Sequence, residues 1–257
     1  MASKEILRHE VSEAVHALDL PIRHLAASGL SAGMDLGFSV LLIAVIESLS
    51  EKAGISSAGA TVFRALAYPL GFILVVLGRS ELFTEQTALA VLPLLSGNTT
   101  FRKVARLWAV VYVTNQIGAV LFALLAIPVG RALGAYDSRA LGRVAEYIVS
   151  VPWPVMLGSA ILAGWLMGLL SWLVAAGRDT ISQVVLVYII TLAIGLGGLH
   201  HSVLGSTEVL AGVFWSGTSG SDFWRFLLWA TLGNAIGGSV MVALVKFGTV
   251  YSAAKDT

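Results

Sequence analysis

Residues 195 to 206 read Gly-Leu-Gly-Gly-Leu-His-His-Ser-Val-Leu-Gly-Ser, two adjacent histidines and four glycines inside an apolar run from Ile181 to Trp215. A continuous lipid-facing helix is not built this way. Glycine is a poor helix former that permits irregular backbone, and an ionisable side chain at membrane depth is costly and usually faces a cavity. The stretch therefore predicts a broken helix lining a pathway. Composition fits a bilayer setting: 57% of the residues are hydrophobic, 12% are charged and the mean hydropathy is +0.85, more apolar than a soluble core of 257 residues would hide. With no cysteine, disulfides, thiolate metal sites and thiol nucleophiles are excluded, and a net charge of +1 leaves no nucleic-acid footprint. Lys4, Glu5, Arg8, Glu10 and Glu13 are followed by no short apolar region, so no cleaved signal peptide is expected.

Windows of roughly 20 apolar residues fall at Leu25–Leu49, Val62–Leu95, Leu107–Leu133, Val151–Ala176, Ile181–Trp215 and Phe223–Phe247. The expected fold is an all-α integral membrane protein of six transmembrane helices. Residues 1–24 form a cytoplasmic amphipathic helix, 25–250 the membrane transport domain, and 251–257 a short cytoplasmic tail. The second and fifth windows are too long for one plain span and are interrupted by polar residues, Gly78 to Gln86 in one and His200/His201 in the other. Each reads as two half-helices around a loop, with second halves starting near Gln86 and Ser206. Matching interruptions in two halves of a chain point to a transporter binding site.

The halves repeat. Ala32-Gly33 with Gly37 resembles Ala163-Gly164 with Gly168; Gly78, Thr87, Ser96 and Gly97 precede Gly198, Thr207, Ser216 and Gly217 by 120 residues; Asn115 and Gly118 precede Asn234 and Gly237 by 119. An odd number of spans per half makes the repeats inverted, three plus three. Lys4, Arg8, Arg23, Arg102, Lys103, Arg106, Arg178, Lys246 and Lys255 outnumber Lys52, Arg64, Arg131, Arg139, Arg143 and Arg225 on the other side, which places both termini in the cytoplasm. Leu7, Val11, Val15 and Leu18 share one face of a helix that Pro21 ends, and this helix is expected to lie on the membrane surface rather than to gate the path.

Gly71-Phe-Ile-Leu-Val-Val-Leu-Gly-Arg-Ser-Glu-Leu-Phe-Thr84, Gly198-Leu-His-His-Ser202 and Gly233-Asn-Ala-Ile-Gly-Gly238 together resemble signatures of the second, fifth and sixth helices of the formate/nitrite transporter family. The resemblance spans nearly all six segments in order and is to a divergent branch. It implies an aquaporin-like protomer in a homopentamer of the inner (plasma) membrane. Each protomer has its own path for small monovalent anions such as formate or nitrite, and the chain is a transporter rather than an enzyme, with no cofactor. It implies that His201 is the central pore histidine, that Leu82 and Thr84 lie on the loop of the broken second helix, that Asn234 lies nearby, and that Phe72 and Leu199 form apolar rings beside the histidine. His200 stands where the family commonly has Glu, so a second proton carrier is expected on the pathway and an acid is lost; Gly205 stands where Asn is common, and the lysine often found ahead of the fourth helix is absent near Ile148 and Val149.

Chemistry supports these residue types independently. A carboxylate is poorly soluble in hydrocarbon while its neutral acid crosses cheaply, so a proton source near the centre is useful, and histidine, with a reference pKa of about 6.5, is suited to it. The alternative reading of His201 is a packing histidine bonded to a carbonyl, while Asn115 and Asn234 would serve equally as helix–helix hydrogen-bonding residues. Four acids at membrane depth, Asp35, Glu81, Glu85 and Glu208, need partners or protons. Arg79 is expected to pair structurally with Glu81 or Asp35, and Glu208 is the acid expected to touch the pathway or a subunit contact. Ionised acids facing the pore would instead favour a neutral small solute or a cation, the alternative reading. A metal site is not expected, since adjacent His200 and His201 on a helix point about 100° apart.

Overall fold

The computed structural model describes residues 3–177 and 179–249, and is all-helical there; Arg178, Lys255 and the expected tail 251–257 lie outside the described residues. Helix α1 (Ser3–Asp19) is followed by α2 (Ile22–Lys52), then α3 (Ser57–Ala67) and α4 (Pro69–Leu77), and the short α5 (Phe83–Leu89) and α6 (Val91–Leu95). After α7 (Phe101–Ala132) and α8 (Ser138–Val149), the second half runs through α9 (Trp153–Ala176), α10 (Thr180–Leu196), α11 (Leu204–Trp215) and α12 (Gly220–Ile236), with π-helical winding from Gly237 to Leu244. Five helical stretches among the described residues are long and apolar enough to cross a membrane, the α3–α4 unit Ser57–Leu77 being one; Phe83–Leu95 and Thr180–Leu196 are shorter apolar helices.

Helix α2 packs along α7 and helix α9 along α12, and glycines let each pair close to backbone contact. A Cβ on Gly33 would strike the carbonyl oxygen of Asn115, and one on Gly164 that of Asn234; likewise Gly118 lies against Leu30 and Gly237 against Ile161. Small residues at a membrane helix crossing give close packing, and they leave the asparagine side chains free to reach beyond the crossing.

Three expectations change. The amphipathic α8 sat in what read as a loop. Asp137 caps it by accepting from Ala140 N at 2.9 Å, and Leu141, Val144, Ala145 and Ile148 form its buried face. Helix α1 is not merely a surface helix: Ile6, Glu10, Ala14, Ala17 and Leu18 are buried against the protein, with Leu7, Val11 and Val15 only half-buried, so its inward face is rotated from the one the apolar residues mark. Lys103 bridges Asp19 at 2.6 Å, and Arg106 donates to the carbonyls of Leu18 and Leu20, which fixes the end of α1 to α7. The second half-helices begin at Phe83 and Leu204, two to three residues earlier than expected.

Candidate functional site

Each interrupted helix is held open by one asparagine. Asn115 Nδ2 donates to the carbonyls of Gly29 (2.7 Å) and Glu81 (3.0 Å), while its Oδ1 accepts from Phe83 N (2.9 Å). Asn234 Nδ2 donates to Ala160 (2.8 Å) and His200 (2.9 Å), while its Oδ1 accepts from Ser202 N (2.8 Å). Breaking a helix strands its terminal N–H and C=O groups, and in an apolar surrounding each must find a partner. A fully buried amide side chain supplies both kinds at once.

The residue enclosed by the first clamp is Leu82 and by the second His201, so the structural register of the repeat at the breaks is 119, not 120. The same offset pairs Arg79 (φ 55°) with Gly198 (φ 60°), the left-handed residue that closes each helix end. It also pairs the turn bonds Ser80 N to Val75 O with Leu199 N to Ile194 O, both 3.0 Å.

His201 is 1% exposed. Its Nδ1 accepts from Leu204 N at 3.2 Å, which assigns the ring proton of a neutral imidazole to Nε2; that atom lies 2.8 Å from Thr84 Oγ1. Phe72 meets the imidazole edge-on with ring centroids 5.0 Å apart, and Tyr68 stacks on Phe72 at 5.5 Å. The first half-helix pair thus brings Phe72, Leu82 and Thr84, and the second His201, Val203 and Leu204, into one buried cluster at the centre of the molecule.

Hollow space lies on both sides of this cluster. On the α1 face, a chamber of about 530 Å3 is lined by His9, Glu13 and His16 of α1, by His24, and by Val75, Arg79, Glu81 and Glu85. On the opposite face, a cavity of about 40 Å3 is lined by Arg64, Tyr68, Tyr147, Leu199 and Glu208, and it adjoins a wider mouth of about 370 Å3 through Arg64 and Tyr147. Val75 reaches the chamber and Tyr68 the cavity, with Phe72 between them on α4. At 1.5 Å per residue the closed section is therefore only ~10 Å long.

The remaining candidates separate. His200 is turned away from His201: its Nδ1 lies 2.8 Å from Ser159 Oγ and its Nε2 2.9 Å from Ile148 O, so its ring ties α8 to α9. Arg79 forms no ion pair with Glu81 or Asp35 among the described residues. Its left-handed backbone belongs to the helix-ending turn beside the chamber, while Glu81 accepts from Gln86 Nε2 at 2.6 Å and Asp35 from Ser31 Oγ at 3.2 Å. Glu85 lines the chamber, and burial together with Glu85 and Glu13 pushes the carboxyl of Glu10 on α1 up to about 8. Tyr68 and Arg64 were missed by sequence reasoning. Tyr68 and Phe72 stand four residues apart on one helical line, which was a legible signal. Arg64 is held from a distance in sequence, bridged to Glu47 at 3.2 Å with its guanidinium over the Tyr147 ring at 5.0 Å. No cluster of three or more His, Asp or Glu among the described residues is placed to hold a metal.

The family model described as Formate/nitrite transporter matches residues 4–248. Curated relatives include the "Inner membrane protein YfdC" of Escherichia coli (strain K12), 31% identical over 87% of this chain and 71% of its own, and the "Probable formate transporter" of Methanothermobacter thermautotrophicus, 28% identical over 89% of each. Among solved structures, an "FNT family ion channel" superposes with a TM-score of 0.84 at 22% identity, covering 97% of this chain and 99% of that one. A "Pentameric formate channel with formate bound" superposes at 0.78 with 18% identity, over 90% and 98%.

Proposed function

The chain belongs to the formate/nitrite transporter family, a multi-pass membrane family of transporters rather than enzymes, and on that premise we propose that it passes small monovalent anions through each protomer in a proton-coupled way at His201. The observation that carries this is the 2.8 Å contact of His201 Nε2 with Thr84 Oγ1 inside a short closed section between two hollow regions.

An anion entering that section loses water, which costs several kcal/mol or more unless charge and hydrogen bonds replace it. Nε2–H is a donor aimed into the section, and Thr84 is a hydroxyl that can release it and turn to the substrate. An approaching anion favours the imidazolium, which forms when Nδ1 releases Leu204 N and takes a proton from water; Nε2 then gives its proton to the anion, the ring returns to the neutral imidazole, and the resulting neutral acid passes Phe72 and Leu199 as an apolar solute. The apolar walls exclude bare ions, which is what couples charge movement to protons. The clamps at Asn115 and Asn234 hold the loops, while Leu82 shapes the wall. The α1 face is assigned to the cytoplasm by its excess of Lys and Arg, and a homopentamer is expected, as in the formate channel of similar fold.

The acids of the α1-face chamber, Glu13, Glu81 and Glu85, favour a second reading, passage of a neutral solute or a cation. Liposomes containing purified protein decide between them. Saturable formate or nitrite uptake with internal acidification, reduced at least tenfold in both His201→Ala and His201→Asn, is the expected result. Absence of formate, nitrite and acetate flux from pH 5 to 8 in the wild type, with passage of potassium or glycerol, would overturn the anion reading.

A further inference from the structure

Glu208 sits on the first turns of α11, two turns beyond His201, and is 5% exposed. Its remaining surface faces the 40 Å3 cavity, and among the described residues it makes no hydrogen bond and no ion pair. A carboxyl so placed is unusual, since buried charges are normally paired. The side chains around it explain the lack of a partner. Arg64 and Tyr68 are the titratable neighbours with which it interacts electrostatically, and Tyr147 completes the cavity wall. Arg64 is already committed to Glu47, which is shared at 2.7 Å with Arg143, itself bonded to Glu51 at 2.7 Å. Two arginines and two glutamates therefore cancel at this mouth, with Glu146 on its rim, and among the described residues that line it no further cation is left to neutralise Glu208 or to gather anions.

The cavity holds more than the ~10–15 Å3 that one water needs, and Leu199, which lines it, follows directly on the loop to His201. A substrate coming from this face meets Glu208 before it meets the closed section. We propose that Glu208 is a proton-exchange group for the transported anion on the face opposite α1, an inference that rests on the anion reading above. In the inward step the O–H bond of protonated Glu208 breaks as an O–H bond forms on the anion. The neutral acid moves on past Leu199 to His201, which hydrogen-bonds it from Nε2–H and gives a proton only to anions arriving from the α1 face, and the Glu208 carboxylate regains a proton from water in the mouth beyond Arg64. The reverse step accepts the proton of a departing neutral acid. No redox change occurs, and the unpaired state of Glu208 is what lets it cycle.

The test compares wild type, Glu208→Gln and Glu208→Asp in liposomes, following formate uptake and internal pH together from pH 5 to 8. Gln keeps the volume and polarity of the site but carries no proton. The expected result is at least a tenfold slower uptake in Glu208→Gln with a flattened pH profile, and a profile of the wild-type shape in Glu208→Asp. Uptake within twofold of wild type and an unchanged pH profile in Glu208→Gln overturns the proposal. Infrared difference spectra of pH-jumped wild-type protein provide a readout independent of flux: the carboxylic C=O band of Glu208 should appear and vanish with pH and be missing in Glu208→Gln. If that band is unchanged by the substitution, Glu208 does not exchange protons. A wild type that moves no anion at all counts against the anion reading, whereas an active wild type matched by Glu208→Gln counts against this step alone.

Discussion

The two helix breaks share a backbone and differ in chemistry. Each ends in a left-handed residue, each is clamped by a buried asparagine bonded to two carbonyls and one N–H, and each encloses one side chain at the centre. At the first break that side chain is Leu82, the left-handed residue is Arg79, and the loop opens on the large chamber beneath α1. At the second they are His201 and Gly198, and the Tyr147 hydroxyl lies so close to Gly198 that a Cβ would not fit. The repeated scaffold fixes where a side chain is presented, and the unrepeated residues decide what is done there. In the proposed mechanism the first break supplies wall and water access and the second supplies the donor.

The largest effects should come from the clamps. Asn115→Leu and Asn234→Leu each leave three buried backbone groups without partners, at about 1–3 kcal/mol apiece, so both should lose about 3 kcal/mol or more in detergent melting. If one variant melts like the wild type, the two clamps are not equivalent. In surviving protein, Asn234→Leu should also impair anion flux more than Asn115→Leu, because only the former holds His201.

A smaller effect distinguishes the chambers. Glu10 interacts with Glu85 and Glu13, two acids that line the chamber of the first break, and its carboxyl is raised from 4.5 to about 8 by burial, then by those two acids. A raised acid favours the docked helix while it is protonated. Docking of α1 is therefore fully supported below about pH 4.5 and weakens as pH rises towards 8. Hydrogen exchange of the α1 amides, corrected for intrinsic rates, should lose about tenfold or more in protection over that range, and Glu10→Gln should flatten the trend while leaving the amides of the second break unmoved. Unchanged protection from pH 5 to 8 in the wild type would refute it.

The smallest effect concerns the left-handed residues. Arg79→Gly relieves a conformation costing a non-glycine residue about 1–2 kcal/mol and adds glycine's unfolded-state entropy of about 0.5–1 kcal/mol, a net gain of up to about 1.5 kcal/mol. Gly198→Ala should instead destabilise, since strain and the Tyr147 hydroxyl act together. Equal signs in thermal melting would remove the asymmetry between the breaks.

Much of this was legible beforehand. Apolar run length marked the spans because a bilayer demands about 20 residues whose backbone bonds are satisfied internally. Gly78 and the Gly197-Gly198 pair marked the breaks, and Asn115 and Asn234 the repeat. The same letters left the repeat register one residue off, since Gly78 and Gly198 are both glycines yet take different positions in their turns. His200 and His201 are alike as letters. Only the packing of α8 and α9 turned one towards Ser159 and Ile148 and left the other facing Thr84.

What the sequence determined by itself was therefore local and periodic: a six-segment apolar pattern, two interruptions with ionisable residues at membrane depth, and motifs sufficient to indicate the family. What only the tertiary structure decided was partnership. Arg64 with Glu47 and Arg143, the docking of α1 over the chamber, the unpaired state of Glu208 and the contact of His201 with Thr84 join residues from 17 to 117 positions apart or more. Hydrogen bonds and charge pairs act over a few ångströms of space, and separation along the chain says nothing about that distance until the helices have packed.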